Sequence, residues 1–78
     1  MTISEYQLDE KAKADFKAAY SIGDPDQPMK LFVGHHIDDG SLGIGLYKEE
    51  EKEFISHFCL TRNEAIELAK VIAKMLAE

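Results

Sequence analysis

Three histidines and one cysteine are the side chains of this 78-residue chain best suited to soft-metal or thiol chemistry, and all fall between His35 and Cys59. The densest run is Gly34-His35-His36-Ile37-Asp38-Asp39-Gly40. Neighbouring residues of a strand point to opposite faces, so His35 and His36 do not share an ion. His36 with Asp38 supplies two ligands from one side, where tetrahedral zinc takes three or four. The spacing therefore predicts no metal and no cofactor. Cys59, two residues from His57, has the placement of a thiol beside a general base, but a reaction also needs an orienting carboxylate; the pair sits where the second helix is expected to pack, and no oxyanion-binding loop is visible. Gly43-Ile44-Gly45 lacks the lysine and the following helix of a phosphate loop. The expectation is a non-enzymatic protein without catalytic residues, with a metal- or Cys/His-dependent enzyme as the rival from another class.

The elements that position these residues follow from periodicity. Leu8, Ala12, Phe16 and Ala19 with Tyr20 recur at helical spacing behind Asp9 as a cap, which predicts a first helix over 9–20. The two prolines, Gly23 and the aspartates of 22–28 make a loop. Three strands are expected at 29–37, 42–48 and 53–59. Thr61-Arg62-Asn63-Glu64 has the form of a capping box, opening a second helix over 62–77. The expected architecture is a single α+β domain spanning 1–78: a helix, a three-stranded antiparallel meander and a helix (αβββα). That order resembles the topology of double-stranded-RNA-binding domains. The matching start of the second helix, Thr61 to Glu67, carries one base and two acids where those domains carry lysines, so the resemblance is one of topology alone.

Asp39-Gly40 suits a two-residue hairpin turn, pairing Val33 with Leu46 and Phe32 with Tyr47; a second hairpin over Glu49-Glu50-Glu51-Lys52 pairs Leu46 with Ile55 and Tyr47 with Phe54. Two unlike faces result. Leu31, Val33, His35, Ile37, Leu42, Ile44, Leu46, Ile55, His57 and Cys59 form an aliphatic one, expected to be covered by Ala65, Leu68, Ala69, Ile72, Met75 and Leu76 of the second helix. The other carries Phe32, Gly34, His36, Gly43, Gly45, Tyr47, Phe54, Ser56 and Phe58. Two mid-strand glycines on one face imply close approach of a ring or backbone. Either the first helix nests there, through Phe16 or Tyr20, or the face is open and Phe32, His36, Gly43, Gly45, Tyr47, Phe54 and Phe58 contact a partner.

Nine basic against fifteen acidic side chains give a net charge of −6, which opposes phosphate backbones and argues against direct nucleic-acid binding. The longest apolar runs are too short to span a bilayer and Met1-Thr2-Ile3-Ser4-Glu5 lacks the features of a signal peptide, so the cytoplasm is the expected address, with no membrane contact. One cysteine agrees with a reducing compartment. Asp24, Asp26, Glu49, Glu50, Glu51 and Glu53 are expected to gather at one end of the meander as an acidic pole. These features point to a small acidic protein-binding module, regulatory or inhibitory. The alternatives are a nucleic-acid mimic that occupies a basic protein groove and a homodimer closed sheet to sheet.

Overall fold

The computed structural model describes residues 2–51 and 53–77; Met1, Lys52 of the acidic hairpin and Glu78 lie outside it. The chain forms β1 (Thr2–Glu5), α1 (Glu10–Lys13), β2 (Phe16–Gly23), β3 (Met29–His36), β4 (Leu42–Lys48), β5 (Glu53–Leu60) and α2 (Arg62–Ala77). The strands make one antiparallel sheet in the order β1-β2-β3-β4-β5. This overturns the expected αβββα architecture: the fold is mostly sheet, with one long helix at its C-terminal end, and the topological likeness to RNA-binding domains goes with it.

The first helix shrinks to one turn. Asp9 does cap it, its Oδ1 accepting from the Ala12 N–H at 2.8 Å, but beyond Lys13 the chain straightens into β2, which pairs with β1 on one side and β3 on the other. Tyr20-Ser21-Ile22 has the alternation of a half-buried strand, and two ladders of backbone hydrogen bonds outweigh the helix propensity of the alanines and lysines before it. The helical spacing of Leu8, Phe16 and Ala19 marks a shared destination: Ala19 is buried in the core, and Leu8 and Phe16 pack against it from above.

The β3–β4 hairpin is shifted from the register of a two-residue Asp39-Gly40 turn and closes a longer loop, pairing Val33 with Ile44 and Phe32 with Gly45. The His36 N–H donates to the Ser41 carbonyl, and the Ile37 N–H turns away to the Asp15 carbonyl, both at 2.9 Å. Ile37 to Gly40 is therefore the loop, with Gly40 at φ 73° and the Ser41 N–H donating to Asp39 Oδ1 at 2.9 Å. The shift from the expected register is two residues, so each side chain of this hairpin keeps its face. Between β4 and β5 the error is one. Tyr47 pairs with Phe54, but Leu46 then pairs with Ser56, Gly45 with His57, Ile44 with Phe58 and Gly43 with Cys59. Ile55 is the extra residue of a β-bulge, and from it onward β5 presents the opposite set of side chains.

The core lies on the aromatic face. Phe32 (2% exposed), Tyr47 (6%) and Ala19 (5%) are its buried apolar members, covered by Tyr6 and Leu8 from the segment that joins β1 to β2 and by Phe16 at the start of β2. Tyr6 stands edge-on to both Phe32 and Tyr47, with centroids 5.1 and 5.4 Å apart; Phe32 meets Phe54 at 5.0 Å. The aliphatic face, expected as the core, is not closed by α2, which buries none of its side chains.

Candidate functional site

The bulge at Ile55 assembles a cluster that the expected register kept apart. His57 and Cys59 move to the face that carries His36, and the three side chains meet over Gly43. A Cβ on Gly43 would lie 3.2 Å from the Nε2 atoms of both His36 and His57, and Cys59 Sγ lies 3.9 Å from His36 Nε2. The His36 ring also lies against Phe16, with centroids 4.5 Å apart. Among the described residues, no hydrogen bond to a carboxylate orients either imidazole; the Asp39 carboxylate interacts with His36 through charge, as the smallest of the influences on it. Among the described residues, no three of His, Cys, Asp and Glu are arranged to hold a metal ion. His35 stays on the aliphatic face, opposite Leu42 and Ala18. Asp38 sits exposed in the β3–β4 loop. The neighbouring Asp39 carboxyl is held below its ordinary value by the Ser41 backbone N–H, assisted by the Ser41 hydroxyl, so it does turn chemistry.

The residues expected to contact a partner do not form one open face. Phe32, Gly43, Gly45 and Tyr47 are buried, and His36 is half-buried. The ring that fills the glycine trough is the chain's own Phe16: a Cβ on Gly34 would lie 2.7 Å from both its Cδ1 and its Cε1. Burial of Tyr6 in this cover, with its hydrogen bond to Tyr47, pushes its phenol up to about 12. Phe54 remains 42% exposed at the rim, while Phe58, 55% exposed, has crossed to the aliphatic face.

The acidic residues do come to one end. The turn carrying Asp24 and Asp26 and the turn carrying Glu49, Glu50 and Glu51 close neighbouring hairpins. They are tied together by the Glu49 N–H donating to the Pro28 carbonyl at 3.5 Å and by a Lys30–Glu49 ion pair. Lys48 pairs with Glu51 at 3.7 Å. Glu53 opens β5 beside them and is exposed.

A further open surface lies away from the motifs. It comprises the aliphatic face, the outer strand β5 and α2. Seven of the eight β5 residues are exposed, and α2 leaves Leu68, Val71, Ile72 and Met75 between 42% and 61% exposed. Arg62, Ala65, Ile66 and Ala69 face the sheet across an open cleft of about 440 Å³ floored by Tyr20, Val33 and Leu42. The sequence did hold a signal. Val71 widens the apolar stripe of α2 beyond the Ala65, Leu68, Ala69, Ile72 series, further round than one sheet face can cover.

No protein-family model matches the chain, and neither does any curated protein or solved structure compared with it. Among the described residues, no helix is long and apolar enough to cross a membrane.

Proposed function

We propose that this chain is a non-enzymatic association module, regulatory or inhibitory in its effect, whose contact surface is the aliphatic sheet face with β5 and α2. The observation that carries this reading is the exposure of large apolar side chains on those elements, from Phe58 at 55% to Val71 at 50% and Leu76 at 81%. Contiguous apolar surface of this kind marks an interface in a folded protein. The His36, His57 and Cys59 cluster supports a catalytic reading less well, since among the described residues no carboxylate is hydrogen-bonded to either imidazole, and catalysis needs an oriented base in a convergent cleft.

A second reading, the acidic pole as a mimic of nucleic-acid charge, is supported by the tie between its two turns at Glu49 and Pro28. Ion pairing of Glu49 and Glu51 with Lys30 and Lys48 reduces the charge it offers. The two readings separate under substitution. Association measured by sedimentation and cross-linking should be lost in Val71→Glu and kept in a variant with Glu49, Glu50 and Glu51 changed to lysine. Association that survives Val71→Glu, disappears on charge reversal and falls steeply with salt overturns the apolar reading in favour of the acidic one.

A further inference from the structure

We infer that the occupant of this surface is a second copy of the same chain, joined edge to edge through β5 with the two α2 helices packed on one side of a continuous ten-stranded sheet. The inference rests on the apolar surface being an association surface, and it names the partner.

Area carries the first step. The chain exposes 5988 Å², whereas a monomer of 8.8 kDa exposes about 4,800 Å². The excess of about 1,200 Å² per chain, counted over two copies, reaches the range of obligate homodimers. The radius of gyration, 13.2 Å, likewise exceeds the about 11.5 Å of a filled globule of this length.

The second step is the edge. Of the two outer strands, β1 is four residues long and ends in Glu5, while β5 runs for eight as Glu53-Phe54-Ile55-Ser56-His57-Phe58-Cys59-Leu60. Exposed edges are ordinarily blunted by lysine, proline, bulges or brevity; β5 has no lysine or proline, and its bulge at Ile55 leaves Ser56 to Leu60 in regular register. Such a strand can accept its own copy in antiparallel pairing about a twofold axis perpendicular to the sheet, an isologous contact in which each copy offers the same patch. That operation keeps the two aliphatic faces on one side and brings both helices there, where Leu68, Val71, Ile72 and Met75 find the apolar cover that their own sheet does not give them.

Charge selects the same arrangement. Antiparallel β5 strands put the two acidic poles at opposite ends, with the Glu53 positions about 23 Å apart along the strand direction, beyond a Debye length at physiological salt. The unlike faces of the protomer thus have separate tasks: the aromatic face holds the chain together, and the aliphatic face holds the copies together.

The test is the mass of the intact chain by sedimentation equilibrium and native mass spectrometry, with amide hydrogen exchange read strand by strand. The expected mass is twice 8.8 kDa, with the β5 amides that point away from β4 protected in step with dimer concentration. Val71→Glu and Phe58→Glu should each weaken dimerisation at least tenfold, or about 1.4 kcal/mol, while the circular dichroism of the fold persists. A dimer whose outward β5 amides exchange freely overturns the edge pairing. A parent that stays at 8.8 kDa at high micromolar concentration overturns the second copy as occupant. If that monomer binds an apolar fluorescent dye and Val71→Glu abolishes the binding, the association surface stands and only its occupant was misassigned. A monomer that binds no dye removes both.

Discussion

The ring of Phe16 occupies the space that a side chain on Gly34 would need, with Cδ1 and Cε1 both 2.7 Å from the position of a Cβ there and Phe32 Cε1 at 2.9 Å. Neither ring is the free end of a flexible chain, and Phe32 is among the most buried residues of the protein. Gly34→Ala should therefore destabilise by about 1–3 kcal/mol through overpacking, with cooperative unfolding retained. Urea unfolding followed by circular dichroism checks it. Phe16→Ala opens the opposite defect, a cavity over the glycines, and should lower the midpoint as well.

Tyr6 links the cover to pH. Its phenol is raised from 10.0 to about 12 by burial first and by the Tyr47 hydrogen bond second, so folding favours the neutral form. The stability that this contributes is fully present below pH 10 and is lost as pH rises from 10 to about 12. In thermal melts, the advantage of the parent over Tyr6→Phe should stay constant up to pH 10 and shrink beyond it. A difference independent of pH up to 12 would place the hydroxyl outside the cover.

How much of this arrangement can be read from the sequence depends on which error a residue pattern tolerates. The faces of β3 and β4 are legible because a register slip of two residues preserves side-chain alternation, so Phe32 and Tyr47 share a face in either pairing. The β5 faces are not, because the single extra residue, Ile55, carries no glycine or proline to announce the bulge. His57 and Cys59 consequently change sides, and the cluster with His36 over Gly43 could not be foreseen. Helix one fails for another reason. Leu8, Ala12, Phe16 and Ala19 recur at intervals that a helix and a loop-covered strand can both produce, and pairing with β1 and β3 decides between them. The open apolar surface is not legible because the spacing of Ala65, Leu68, Ala69 and Ile72 defines a stripe on α2 but not whether the helix lies down on the aliphatic face.

Gly45 answers to the same bulge. A Cβ there would lie 2.5 Å from the Ser56 carbonyl oxygen and 3.5 Å from the His57 Cα, and backbone cannot yield as a side chain does. Gly45→Ala should loosen β5 from β4 rather than unfold the sheet. Hydrogen exchange is expected to quicken at Ser56 to Leu60 while the amides of β2 and β3 keep their protection. Uniform acceleration across all strands would show instead that β5 belongs to the same cooperative unit as the core.

The start of α2 is held by a reciprocal cap. The Glu64 N–H donates to Thr61 Oγ1 at 3.2 Å and the Thr61 N–H donates to Glu64 Oε1 at 2.9 Å. Because none of the α2 side chains is buried, local capping has more influence on it than on a helix pressed against a core. Thr61→Ala should weaken the helix by about 1 kcal/mol, seen as reduced helical ellipticity and faster exchange at the amides of the first turn. The sheet signals should be unchanged. If the helix is secured by a second copy, raising protein concentration should restore most of the lost ellipticity in Thr61→Ala, whereas a loss that is the same at every concentration would mean that α2 draws no support from association.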